Sequence, residues 1–408
     1  MRESVSGILV IVLLVSSLPL ALMPAVAQSS VPSTAGEIEE VARAVLAKEI
    51  LLYLRAKYLG EDIDCLSSGE LRESASYYPQ YPRQITDSAN RTVIIYKPIK
   101  RIVTMSTESI EMIRTLKATD KVVGVSKYVV EDEVFYPGFS DYPNIGTPWS
   151  IDYEVLLECN PDVVFTYTKW PEPAYLEEKL KGTDIKVIRF DFNKPSNFVV
   201  EVKKLGYILD KKKEAEKFIK FYSNYMKEIR ESVEMEDKPR VYLEADFGSG
   251  KKYYTCGEGH GHHEMLVLAG GNNIFADVTY GKEISVEEVV RRDPEIIVKY
   301  KWPDGGFNKD TKELEEVREE ILGRPELQNV TAVKNKEVYV FTWYTTRGAA
   351  RYFLGIGYLA KWFHPKSFNL DPKEIYREYL TEFQGLDIDL DKSAFVYPEE
   401  PICDGTNE

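Results

Sequence analysis

The sequence predicts an α/β protein of two parallel-sheet lobes joined by one long helix, with a helical hairpin ahead of them. Three observations carry that expectation. Short runs of buried-strand character alternate with helical periods from Arg101 onward, a strand-free stretch from Ser196 to Met235 interrupts them, and a segment of the first half recurs in the second. At 408 residues with 44% hydrophobic content, the chain has material for two cores.

The first 27 residues, MRESVSGILVIVLLVSSLPLALMPAVA, have one early arginine, an apolar run and an Ala25-Val26-Ala27 end. They read as a secretory signal peptide, with an uncleaved N-terminal anchor as the alternative. Residues 28–84 begin as a polar tether and continue as the hairpin. Its first helix carries Ile38, Val41, Val45, Leu46, Leu52 and Leu59 at helical spacing, and a second short helix lies near Glu70 to Tyr77.

The first lobe is expected over 85–195. Arg101-Ile102-Val103-Thr104 reads as a buried strand, Ser106 or Thr107 caps a helix running to about Leu116, and Val122 to Val125 returns as a strand. This is a βαβ unit, and the alternation continues through Asp162 to Phe165 and Lys186 to Phe190. A helical linker follows over 196–238. Val199, Val202, Leu205 and Ile208 mark one helix; Phe218, Tyr222, Met226, Ile229 and Val233 mark a longer one from about Lys211. The second lobe, 239–398, has strands at Arg240 to Leu243, Glu295 to Val298 and Val338 to Phe341, and 399–408 is a tail.

The internal repeat lays SIDYEVLLECNPDVVFTYTKWP, from Ser150, over EISVEEVVRRDPEIIVKYKWP, from Glu283. Aligning Pro161 with Pro294 puts Glu154 on Glu287 and Tyr167 on Tyr300. Each copy is a short helix, a proline that ends it, a buried strand and an aromatic loop at the strand's carboxyl end, where open α/β sheets bind ligands.

A formal net charge of −14 excludes nucleic acid as a partner, since it repels the phosphate backbone. Four scattered cysteines exclude a disulfide scaffold, although Cys65 and Cys403, both in the outer segments, could form a single bridge.

From Ile85 to Pro398 the chain resembles the class III substrate-binding proteins of ABC importers, the family serving ferric siderophores, cobalamin and haem. The resemblance rests on ITDSANRTV with KRIV, on NPDVV and DPEII, on LAGGNNIFAD and on YLAKWFHPKSFNLDPKEIYREYLTEF, a carboxyl segment closest to archaeal members. It implies a secreted or cell-surface monomer, with no cofactor required, that captures an iron or cobalt chelate and passes it unchanged to an ABC permease and its ATPase. An iron chelate of the ferric-siderophore kind is preferred, with cobalamin or haem as the alternative. In this family one surface glutamate per lobe docks on permease arginines, and the positions matching here are Glu154 and Glu287. The expected cleft walls are Thr107, the loop of Tyr167, Lys169 and Trp170, then Tyr300 with Trp302, and Trp343, Tyr344 and Arg347.

One stretch stands out beside that frame. TCGEGHGHHEML holds His260, His262 and His263, three of the chain's four histidines, beside Cys256, Glu258 and Glu264. Glycines 257, 259 and 261 free the backbone to turn imidazoles inward, so the three histidines are expected as metal or ligand contacts ahead of a helix from Glu264 to Ala269. The order is not the HExxH of a zinc protease. A zinc-dependent extracellular hydrolase built on Cys256, His260, His262 and His263 is the rival from another functional class.

Overall fold

The structure, a computed structural model, describes residues 83–95, 97–247, 250, 252–302, 305–346 and 348–402. The expected signal segment, the tether and hairpin as far as residue 82, Cys65, Cys403 and Arg347 lie outside the described residues.

Strands β1 (Arg83–Thr86) and β2 (Thr92–Ile95) form an antiparallel hairpin. Asp87 closes its turn, accepting the Ala89 and Arg91 N–H groups at 3.0 Å. The first main sheet follows from β3 (Ile102–Thr104), β4 (Val122–Val125), β7 (Val163–Thr166) and β8 (Lys186–Arg189), with the small hairpin β5 (Gly146–Thr147) and β6 (Ser150–Ile151) between them in the chain. Its order is β4-β3-β7-β8 and every pairing is parallel. The central strands β3 and β7 are buried along their whole length, which is why they read as nearly continuous apolar runs.

The chain leaves this sheet through two helices, Pro195–Ile208 and Lys212–Val233. The second has 22 residues and spans about 33 Å at about 1.5 Å per residue. Phe218, Tyr222, Tyr225, Ile229 and Val233 recur along its buried face.

The second sheet is built from β9 (Arg240–Asp246), β11 (Asn272–Asn273), β13 (Ile296–Lys301), β14 (Val338–Thr342) and β15 (Val396–Tyr397), in the order β11-β9-β13-β14-β15. All its pairings are parallel except the β14–β15 edge. Strands β10 (Tyr254–Cys256) and β12 (Gly281–Glu283) pair separately as an antiparallel ribbon. At the centre of this lobe the buried Glu244 carboxylate is met by Lys299 Nζ at 2.7 Å and by Arg324 Nη1 at 2.6 Å.

The repeat has a matching backbone. Asp152 caps helix Tyr153–Glu158 by accepting the Val155 N–H at 3.1 Å, and Ser285 caps helix Val286–Arg292 by accepting the Glu288 N–H at 3.3 Å. Each helix then turns into its strand through a left-handed residue before proline, Asn160 and Asp293, both at φ 41°. Asn and Asp tolerate that conformation better than other side chains with a Cβ.

The two sheets are not separate cores. Helix Gly348–Phe363, which follows β14, packs on helix Thr107–Thr115 of the first sheet and on the long helix Lys212–Val233. The buried apolar residues of both halves run together through this junction, from Ile102 and Ile110 to Phe353 and Phe341. A polar network threads it: Arg351 donates to Glu111, the Tyr379 hydroxyl donates to Glu111 Oε1 at 2.8 Å, and Gln384 Nε2 donates to Tyr379 at 2.7 Å and to Thr115 at 2.6 Å.

Candidate functional site

The carboxyl ends of β3, β7 and β8 supply one side of the cleft. Ser106 caps helix Thr107–Thr115 by accepting the Ser109 N–H at 3.2 Å. Thr107 is buried, and its hydroxyl donates to Glu108 Oε2 at 2.9 Å, an oxygen that also accepts from the Tyr167 hydroxyl at 2.5 Å. The loop carrying Tyr167, Lys169 and Trp170 is tied at both ends. Asp191 accepts the Thr168 N–H at 2.7 Å, and Thr166 Oγ1 donates to the Trp170 carbonyl at 2.9 Å. Trp170 nevertheless keeps 51% of its surface exposed. Lys169 reaches across to the second lobe, its Nζ 5.3 Å from the centre of the Tyr280 ring.

On the facing side Tyr300 is buried, its ring 5.1 Å from Phe247 and 5.5 Å from Phe341. Trp302 is 40% exposed one residue beyond Lys301, whose Nζ pairs with Asp246 at 2.9 Å. Trp343 and Tyr344 are half-buried and pack on each other at 4.6 Å; Tyr344 also meets Phe307 at 5.5 Å and Phe395 at 6.1 Å. Tyr344 thus serves packing between the sheet and its β15 edge. Trp170 and Trp302, by contrast, keep exposed aromatic surface.

The histidine stretch lies where the two sides meet. Gly261 approaches Asn193 of the first lobe so closely that an added Cβ would stand 2.8 Å from the Asn193 carbonyl oxygen and 2.8 Å from the Tyr352 hydroxyl. Glu264 accepts from Ser196 N at 3.3 Å, at the start of helix Pro195–Ile208. The helix expected from Glu264 begins three residues earlier, as Gly261–Leu268, because His260 caps it: His260 Nδ1 accepts the His262 N–H at 3.2 Å. His262 and His263 are therefore helical.

The structure brings together Cys256, His260 and His262, one donor atom from each lying within 4.8 Å of the others. His263 is not in this group. Its Nδ1 lies 3.0 Å from Asn273 Nδ2, which also donates to the Cys256 carbonyl at 2.8 Å. The glycines act less through freedom than through closeness: at Gly257 a Cβ would fall 1.9 Å from the Val278 carbonyl oxygen, and only Gly259, at φ 86°, uses the left-handed region.

An aromatic shell surrounds the group. The His262 ring is 4.5 Å from Tyr300 and 5.8 Å from Phe247, and His260 is 4.9 Å from Tyr280. Burial holds both imidazoles neutral: it pushes His260 down to about 4, aided by the Lys194 charge and His263, and moves His262 well below its ordinary value, aided by His260. Burial also pushes the Cys256 thiol up to about 12. Neutral imidazoles are the form that ligates metal. Phe247, Tyr280 and Asn193 were not legible as cleft residues, since each stands alone in a stretch with no motif.

Glu154 and Glu287 occupy the same place in their helices, the second residue after the caps Asp152 and Ser285, and both are exposed.

The model for the periplasmic binding protein family matches residues 102–343, from β3 to just past β14. The chain belongs to this family. Among relatives of this periplasmic binding protein, the uncharacterized ABC transporter substrate-binding lipoprotein YvrC of Bacillus subtilis is 25% identical over 294 residues, 71% of this chain and 87% of that one. The molybdate-binding protein MolA of Haemophilus influenzae is 24% identical over 360 residues, 79% of this chain and 97% of its own. Among solved structures, the TroA-like periplasmic binding protein FepB of Veillonella parvula aligns with a TM-score of 0.64 at 22% identity, covering 77% of this chain and 99% of that one. That likeness establishes the shared fold of two α/β halves.

Proposed function

We propose that this chain is the extracytoplasmic substrate-binding protein of an ABC importer and carries an iron chelate of the ferric-siderophore kind to the permease. The observation that carries the reading is the pair of exposed indoles, Trp170 and Trp302, on strand-end loops of opposite lobes, with Lys169 of the first loop reaching Tyr280 across the cleft. Such walls suit a planar or bulky complex with an anionic edge. Matching glutamates, Glu154 and Glu287, at the same position of pseudo-equivalent helices supply the acidic corners expected to meet a permease.

Fluorescence titration of the exported chain with ferric siderophores, haem, cobalamin and free divalent ions tests the reading, because both indoles report occupancy. Saturable quenching by a ferric siderophore at micromolar concentration or below supports it. Quenching by cobalamin or haem alone assigns the cleft to those chelates, and no response to any chelate removes the carrier reading.

A further inference from the structure

We infer that Cys256, His260 and His262 form a three-donor site for one borderline-soft divalent transition-metal ion of the zinc, cobalt or nickel kind, with a further coordination position toward the cleft. The spacing is that of ligands on one ion. His260 Nδ1 and His262 Nδ1 are 3.2 Å apart, and the Cys256, His260 and His262 donors lie within 4.8 Å of one another. With metal–nitrogen bonds of about 2.0–2.1 Å, two nitrogens on a tetrahedral ion stand about 3.3 Å apart. His262 Nε2, on a buried ring, has no hydrogen-bond partner among the described residues, whereas its Nδ1 meets His260 Nδ1, the atom that caps the helix; an ion taken there replaces that contact and the cap bond.

The donors sit on fixed elements. Cys256 ends β10, where it pairs with Gly281, and its carbonyl is held by Asn273. The intervening turn is stitched to the segment 276–280 by Gly257 N to Tyr280 O at 3.0 Å, Glu258 N to Ala276 O at 3.2 Å and Tyr280 N to Glu258 O at 2.8 Å. His260 and His262 are fixed by the helix they begin. Cys256 and His262 are buried and His260 is partly exposed, which places the approach on the His260 side, beside Tyr280 and Phe247, both largely exposed.

One sulfur and two imidazole nitrogens form a donor set that favours zinc, cobalt and nickel over hard oxygen-seeking ions such as magnesium or calcium. On binding, the Cys256 thiol gives its proton to solvent and the thiolate takes one of the two positive charges. The remaining charge, inside an aromatic shell, favours an anionic group of the cargo at the further position. That last step rests on the carrier reading; the ion site does not.

Titration of the exported chain with cobalt(II) alone tests the site. The expected result is one cobalt per chain with a thiolate-to-cobalt charge-transfer absorption, the band being lost in Cys256→Ser. His262→Gln should weaken binding at least about 100-fold, and His263→Gln should leave it within about twofold. X-ray absorption of the zinc-loaded unmodified chain, free of any folding question, should show one sulfur at about 2.3 Å and two nitrogens at about 2.0–2.1 Å. Absence of stoichiometric cobalt, a band that survives Cys256→Ser, or equal losses in His263→Gln and His262→Gln would overturn the assignment. A chain that binds cobalt in this way yet answers to no chelate keeps the ion site and loses the carrier role.

Discussion

Arg351 donates to both carboxylate oxygens of Glu111, Nε to Oε1 at 3.2 Å and Nη2 to Oε2 at 2.9 Å, with neither side chain more than 1% exposed. The pair joins the helix that follows β14 to the first helix after β3, and so ties one lobe to the other. Removing one partner leaves a buried charge, so Glu111→Ala or Arg351→Ala should each cost about 3–5 kcal/mol in urea unfolding. Replacing both with Leu and Met should recover most of that, leaving about 1–3 kcal/mol for the Tyr379 hydroxyl without its acceptor. Strictly additive losses would mean that the pair is not coupled.

Glu201 sets a pH dependence. Burial pushes its carboxyl up to about 7 from 4.5, against hydrogen bonds from Ser88 and from the backbone N–H groups of Phe192 and Asp191. A carboxyl with a raised folded-state value holds its proton in the native protein when the unfolded chain has already released it. Its contribution is therefore full below about pH 4.5 and is lost as pH rises to about 7, on the order of 3 kcal/mol across the window. Glu201→Gln should flatten that slope in unfolding free energies measured between pH 4.5 and 8. A slope equal to wild type would assign the dependence to other groups.

Docking is predicted to depend on Glu154 and Glu287 without involving the cleft. Glu154→Lys and Glu287→Lys, each at an exposed first-turn position, should leave chelate affinity within about twofold. Like charge opposed to permease arginines should lower stimulated ATP hydrolysis in a reconstituted importer at least about tenfold. Equal stimulation by variant and wild type is the contrary result.

The indoles of Trp170 and Trp302, exposed on the strand-end loops, should carry ligand stacking. Trp170→Ala or Trp302→Ala is expected to weaken chelate binding by about 0.5–1.5 kcal/mol, a factor of about two to twelve. Tyr344→Leu, which alters packing against Phe307 and Phe395, should change stability more than affinity. Affinity unchanged in both tryptophan variants would place the ligand elsewhere.

Gly257→Ala tests the shape of the histidine turn. A methyl group there would meet carbonyl oxygens of Val278 and Phe275 at 1.9 and 2.6 Å, both backbone atoms that cannot swing aside. A loss of about 1–3 kcal/mol is expected, with faster proteolysis between Thr255 and His262. Gly259→Ala, at φ 86° in open space, should cost about 1 kcal/mol through backbone strain alone.

The alternation of sheet and helix was legible because buried strands such as Val163–Thr166 and Ile296–Lys301 open on apolar runs, Val163 to Phe165 and Ile296 to Val298, two residues after a proline, a signal carried by neighbours in the chain. The repeat marked the two equivalent helices and strands, while their caps Asp152 and Ser285 and the left-handed Asn160 and Asp293 emerge only from the folded backbone. Membership of the Cys256 group was not legible in this way. Histidine density marked the stretch, yet which imidazoles converge depends on His260 capping the helix and on Asn273 meeting His263 from the next segment of chain. The Glu111 and Arg351 contact left no local trace at all, since a glutamate at a helical position reads as a solvated face until its distant partner is known.

That contact also bears on how the polypeptide is made. Glu111 leaves the ribosome 240 residues ahead of Arg351. Until helix Gly348–Phe363 arrives, the face of helix Thr107–Thr115 that it covers, Glu111 included, is open to water, so the early half lacks one of its packing partners. Severing the chain within the helix Lys212–Val233 should yield fragments that acquire native structure only when mixed.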